Sequence, residues 1–242
     1  MDEPLYDRLR EMEDDHWWFR GRRAVIAALV DRAGALPADP RVLDAGCGTG
    51  RNLQEYARLG RAEGVEPSAT AVDYCRERGL TVHQAGLESL PFEDSSFDLL
   101  FASDVLEHVE GDVEAFRELR RVARPNAAFV ITVPAYAWLW SHHDDSHHHV
   151  RRYTRGLLAR RALAGGWRPV FASYFNTVLL APIALVRLAQ RGHPASETSD
   201  YERTPVALSR LLEAPMRAEA RLIGRGVRLP AGVSVGMVCR AD

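Results

Sequence analysis

The sequence predicts an α/β fold. We expect a doubly wound, mostly parallel sheet of seven strands, an N-terminal helical cap over residues 1–40, and one main domain over residues 41–242. A helical insertion is expected around residues 175–225, before the last strand. Three observations lead there. From Val42 onward, short apolar runs alternate with amphipathic stretches, the rhythm of a parallel sheet wrapped by helices. At residues 42–50, Val-Leu-Asp-Ala-Gly-Cys-Gly-Thr-Gly drives a buried strand into a tight turn that opens a helix. About 20 residues on, Glu66-Pro67 ends a second apolar run, which puts an acid at a strand tip where such folds commonly grip a ribose diol.

The elements follow in order. Leu5, Leu9 and Met12 recur at helical spacing, so the first 23 residues hold an amphipathic helix, interrupted by the aromatic run His16-Trp17-Trp18-Phe19 and by Arg20, Arg22 and Arg23. That run is either a cap over a ligand or an anchor of the helix on the domain. A second helix is expected at 24–33, broken by a glycine and two prolines at 34–40. Strands are expected at 62–65, 80–83, 97–102, 127–133 and 167–174, and helices at 52–59, 70–78, 113–123 and 154–164. Residues 177–189 are the most apolar stretch, too short for a membrane span and interrupted by Pro182 and Arg187. They read as a helix on the core, a lid over an apolar pocket or a bilayer contact. A polar loop at 192–204, a helix at 205–223 and a final antiparallel strand at 233–239, paired with the sixth, complete the chain.

Composition excludes several classes. A chain of 242 residues suffices for one α/β domain with additions. A net charge of −2 lacks the general footprint of a nucleic-acid binder. Cys47, Cys75 and Cys239 are too scattered for a disulfide framework or a cysteine zinc site. Every basic residue is arginine, so no lysine can form a Schiff base. With no secretory leader in view, a cytoplasmic protein without stable membrane insertion is expected; a homo-oligomer is left open.

The turn at 44–50 spaces its glycines as Gly-x-Gly-x-Gly, not as the dinucleotide fingerprint, and has no P-loop Lys-Ser or Lys-Thr. Asp44 before the glycines would repel a pyrophosphate and suits a positive group. The stretch resembles the first motif of class I S-adenosylmethionine-dependent methyltransferases. The resemblance implies a Rossmann-like domain with S-adenosyl-L-methionine as cofactor. Gly46, Cys47, Gly48 and Gly50 would lie along its methionine part, Asp44 would face its ammonium, and Glu66 with Pro67 would hold its ribose. Residues 86–92, with Gly86 and Leu87, resemble the loop over adenine. Many relatives carry aspartate where Gly86 stands, so that contact must come from backbone or elsewhere. Ser103-Asp104-Val105-Leu106-Glu107-His108 resembles the motif beside the transferring methyl, which implicates Ser103 and His108.

Residues 134–155 bring five histidines, two aspartates and three arginines just past the fifth strand. His143 or His149 suits a general base, oriented by Asp144; the cluster also fits a structural lid or a metal site, though no metal is assigned. His16, Trp17, Trp18, Arg22, Arg23, His143, Asp144, His149, Arg151, Arg152 and Tyr153 resemble positions of a bacterial subfamily linked to natural products, glycans or lipid-linked intermediates. The expected acceptor is a small, aromatic or apolar molecule held by Trp18, Tyr136, Trp140, Arg152 and Tyr153. A lipid-linked or glycan acceptor and a non-catalytic cofactor-binding scaffold are the alternatives.

Overall fold

The computed structural model describes residues 3–189 and 206–242. Strands β1 (Arg41–Ala45), β2 (Arg61–Glu66), β3 (Val82–Gln84), β4 (Phe97–Ser103), β5 (Ala123–Pro134), β6 (Trp167–Phe175) and β7 (Ser234–Ala241) form one sheet in the order β3-β2-β1-β4-β5-β7-β6. β1 to β5 pair in parallel, while β7 runs antiparallel between β5 and β6. This is the expected mostly parallel Rossmann-like sheet with an antiparallel last strand. The chain reverses its strand order between β1 and β4, and ligands of open α/β sheets bind past the carboxyl ends there.

Alternation along the strands builds two apolar layers. In β4, Leu100 and Ala102 point to a cluster with Phe116, Phe129 and Trp167, whereas Leu99 and Phe101 point to another with Leu29, Val130, Met216 and Ile223. Helices α5 (Asp112–Val122) and α7 (Arg155–Ala164) contribute to the first layer; α2 (Trp17–Ala33) and α9 (Val206–Gly224) contribute to the second. α2 and α9 approach closely at Gly21, where an added Cβ would stand 2.7 Å from Met216 Sδ. Helices α2 and α9 are therefore packed on each other. Helix α8 (Leu180–Ala189) precedes the residues outside this description, which include the loop expected at 192–204. Among the described residues, no helix is long and apolar enough to cross a membrane.

Several boundaries differ for physical reasons. The helix expected from residue 24 begins at Trp17, because His16 is its N-cap and accepts a 3.3 Å bond from the Trp18 amide. The aromatic run is thus the first turn of α2. β5 starts at Ala123 and runs through Arg124-Pro125, so α5 ends at Val122. β3 lies at Val82–Gln84 rather than 80–83, since Gly79 takes a positive φ of 73° and delays the strand. Residues 142–146 form an unexpected short helix, α6 (His142–Ser146), closed by a capping box between Ser141 and Asp144.

Candidate active site

One cavity of about 640 Å³ opens past the carboxyl ends of β1, β2 and β4. Its floor begins at the turn after β1. Gly46 holds φ at 76°, and an added Cβ would stand 2.6 Å from Val105 Cγ2, so only glycine fits. Gly48 has open space where a Cβ would be. Gly50 takes φ 85° as N-cap of α3 (Arg51–Tyr56), away from the cavity wall. Gly46, Cys47, Gly48, Glu66, Pro67, Ser103 and His108 all line the cavity.

Glu66 ends β2 almost fully buried. Its Oε1 accepts from Tyr6 Oη at 3.0 Å and from the Ser68 amide at 3.1 Å; its Oε2 accepts from the Gly48 amide at 3.0 Å. Burial and the Glu66 charge push the Tyr6 phenol well above its ordinary value. Tyr6 belongs to α1 (Glu3–Met12), which lies across the cavity mouth. Glu13, just after α1, accepts from Thr49 and pairs with Arg78, and Asp14 pairs with Arg51. The cap thus closes over the turn through charged contacts that no periodicity in the sequence announces.

Asp44 sits beneath the turn and is not part of the cavity wall. Burial pushes its carboxyl up to about 8, with Arg22 opposing and Glu66 adding to the rise. Its Oδ2 is buried without a hydrogen-bond partner among the described residues. Above it, Arg22 from α2 pairs with Asp104, whose φ of 58° is a left-handed backbone at the end of β4. Such strain in a non-glycine residue gathers at functional sites. Thr132 Oγ1 supports Asp104 at 3.2 Å. The sequence motif included Asp104, but its pairing with Arg22 becomes visible only in three dimensions.

A second part of the wall comes from the histidine segment. His143, His147 and His149 face the cavity, while His142 and His148 are exposed. His149 Nδ1 lies 2.8 Å from Asp144 Oδ1. Asp144 itself is fully buried, takes a bidentate grip from Arg152 at 2.7 and 2.9 Å, and accepts from the Ser141 amide at 2.8 Å. Burial opposes its charge, yet His149 and Arg152 hold the carboxyl well below the usual range. Burial, then His147 and Arg187, hold His143 well below the ordinary imidazole value, and burial with His149 lowers His108 to about 3. Both rings are neutral at pH 7.

Several expected contacts lie elsewhere. Tyr153 is fully buried and donates to Asp112 Oδ2 at 2.9 Å and Leu106 O at 3.2 Å, so it braces the scaffold and cannot reach an acceptor. Tyr136 stacks between Trp138 and Tyr174, and Trp140 donates to Asp145 at 2.9 Å; neither lines the cavity. Gly86 and Leu87 also lie outside its wall. Trp18 does line it, stacked on Phe175, and Arg152 reaches it but is committed to Asp144 and Ala135 O. Asp144 acts behind His149, not in the cavity.

Residues 43–131 match the family model described as a methyltransferase domain. Residues 43–131 therefore form a methyltransferase domain of the class I S-adenosylmethionine-dependent kind. A probable S-adenosylmethionine-dependent methyltransferase of Mycobacterium tuberculosis is 32% identical over 127 residues, 51% of this chain and 45% of that protein. A 2-phytyl-1,4-naphtoquinone methyltransferase of Trichormus variabilis is 30% identical over 141 residues, 53% of this chain and 59% of that protein. The chain thus spans about half the length of these relatives. The fold matches geranyl diphosphate C-methyltransferase of Streptomyces coelicolor A3(2), solved with Mg2+, geranyl diphosphate and S-adenosyl-L-homocysteine, at TM-score 0.59 and 18% identity over 90% of this chain and 77% of that one.

The residues of the methyltransferase domain fit a sulfonium amino-acid cofactor. Asp44, a buried acid beneath the turn whose Oδ2 has no hydrogen-bond partner among the described residues, suits a nearby ammonium, and Glu66 beside the Gly48 amide suits a ribose.

Proposed function

We propose that this chain binds S-adenosyl-L-methionine and transfers its methyl group to a nucleophilic atom of a small, apolar or aromatic acceptor. The observation that carries this reading is one cavity with two unlike walls. The glycine turn and Glu66 stand on one side. The histidines at 143–149 and an apolar rim of Trp17, Trp18, Leu179, Pro182, Ile183 and Leu212 make up the other.

The cofactor, when bound, supplies an activated methyl on sulfur. Glu66 would hold the ribose hydroxyls in place of the Tyr6 bond, and Asp44 beneath the turn would balance the charge of the ammonium. Gly46 and Gly48 would offer the amino-acid part bare backbone. Methyl transfer is an in-line displacement, so the protein has to align the partners and take a proton. His143, neutral and in the wall, takes that proton. His149 is the second candidate, because its 2.8 Å contact fixes the ring toward Asp144. Proton removal is worth roughly 10²–10⁴-fold.

A second reading rests on α8. Leu185 and Val186 are more than half exposed beside the cavity rim, which suits an acceptor with a lipid chain that stays partly outside.

Cofactor carrying a labelled methyl, offered with panels of apolar hydroxy, amino and lipid-linked acceptors, tests these readings. Label extracted into organic solvent supports them, and the acceptor that takes it separates them. Tight cofactor binding with no acceptor ever labelled would leave a scaffold instead of an enzyme.

A further inference from the structure

We propose that Glu107, His108 and His149 form a binding site for a divalent transition-metal ion of the zinc class, inside the same cavity. One ligand atom from each of the three lies within 4.8 Å of the other two. Ligand atoms around a tetrahedral ion at about 2.1 Å stand about 3.4 Å apart, so modest side-chain rotations close the set.

Three independent features point to an ion there. First, Glu107 is fully buried, lines the cavity, and neither carboxylate oxygen has a hydrogen-bond partner among the described residues. A carboxylate in that setting is costly unless a cation compensates it. The nearby arginines are already engaged, Arg22 with Asp104 and Arg152 with Asp144. Second, Asp144 holds His149 Nδ1 at 2.8 Å and leaves Nε2 for a ligand. A carboxylate behind an imidazole is the arrangement that orients metal-binding histidines. Third, the two segments that supply the donors are tied together. The Val150 amide donates to Glu107 O at 2.7 Å and Tyr153 Oη to Leu106 O at 3.2 Å, and the His108 and His149 rings meet edge to face at 4.7 Å.

Two imidazoles and one carboxylate suit a zinc-class ion with an open coordination position, whereas magnesium and calcium prefer all-oxygen shells. The open position faces the cavity. There the ion would hold an oxygen of the acceptor, a role that rests on the methyl-transfer reading; ion binding itself does not. With His149 as a ligand, proton removal belongs to His143.

The test uses the full-length, untagged, metal-stripped protein. Zinc is titrated against a chromophoric chelator, cobalt is added separately to read its visible spectrum, and cofactor binding is measured calorimetrically on the same samples. The expected result is one zinc per chain, undisturbed by excess magnesium, with the cobalt bands of a low-coordinate histidine site. Glu107→Gln should weaken zinc by at least about tenfold. His149→Gln should do the same if Glu107→Gln melts early. No saturable zinc binding, or zinc binding unaffected by both variants, would overturn the proposal and place any ion on exposed residues such as His142 and His148. Zinc binding that depends on Glu107 in a protein that binds no cofactor would keep the metal site and remove the methyl-transfer reading.

Discussion

The glycine turn and the histidine segment border one cavity, yet they are made by opposite means. The turn at 44–50 is fixed by local backbone conformation: positive φ at three glycines and a close approach at Val105. The segment at 141–153 is fixed by contacts across the chain: side chains join Asp144 to Arg152 and Tyr153 to Asp112, and the Val150 amide donates to the Glu107 carbonyl. The first wall is a conformation that binds, and the second is a network that positions. Damage to the first should appear in cofactor affinity, and damage to the second in folding stability and turnover.

The largest expected effect breaks the second wall. Asp144→Ala removes the partner of a buried guanidinium and of His149. It should cost about 3–5 kcal/mol of stability in urea unfolding. A loss under 1 kcal/mol would mean that Arg152 finds water and the network is not what holds the segment.

Asp44→Asn sharpens the comparison through pH. Burial raises the folded carboxyl to about 8, above its unfolded value near 3.9. The proton therefore stabilises the fold fully below pH 4, and this contribution is lost as pH rises through 8. The stability of Asp44→Asn relative to wild type should increase across that window, by at most about 1.4 kcal/mol per pH unit, and stay level outside it. A difference that does not change with pH would place the Asp44 charge in contact with water.

Glu66→Ala acts on the first wall alone. It should weaken the cofactor by roughly 1.5–3 kcal/mol in calorimetry, through loss of charge-assisted bonds to the ribose. The smallest effect belongs to the cap. Tyr6→Phe frees Glu66 Oε1 from a 3.0 Å bond, so cofactor affinity should rise by about 0.5–1.5 kcal/mol. Weaker binding would show that the phenol helps to hold the cofactor.

The difference between the walls also decides what the sequence revealed. Local patterns were legible: the strand rhythm, the Gly46-Gly48-Gly50 turn and Glu66 at a strand tip follow from residue type and spacing, while the antiparallel direction of the last strand comes from the fold class. The start of α2 was missed because His16 caps it with its side chain, and α6 because its cap is a reciprocal bond between Ser141 and Asp144. Tyr136, Trp140 and Tyr153 were expected at an acceptor because aromatic residues suit both pockets and cores, and only packing separates the two. The Tyr6 bond to Glu66 joins residues 60 apart, and the Glu107–His108–His149 group joins two segments 41 apart. No period in the sequence encodes such pairings.

The most direct test compares His143→Ala with wild type in two readouts, single-turnover transfer of labelled methyl and calorimetric binding of S-adenosyl-L-methionine. The expected result is a roughly 10²–10⁴-fold loss of transfer with cofactor affinity unchanged within about twofold. Transfer at the wild-type rate, or cofactor binding lost in step with transfer, would contradict the division of labour between the two walls.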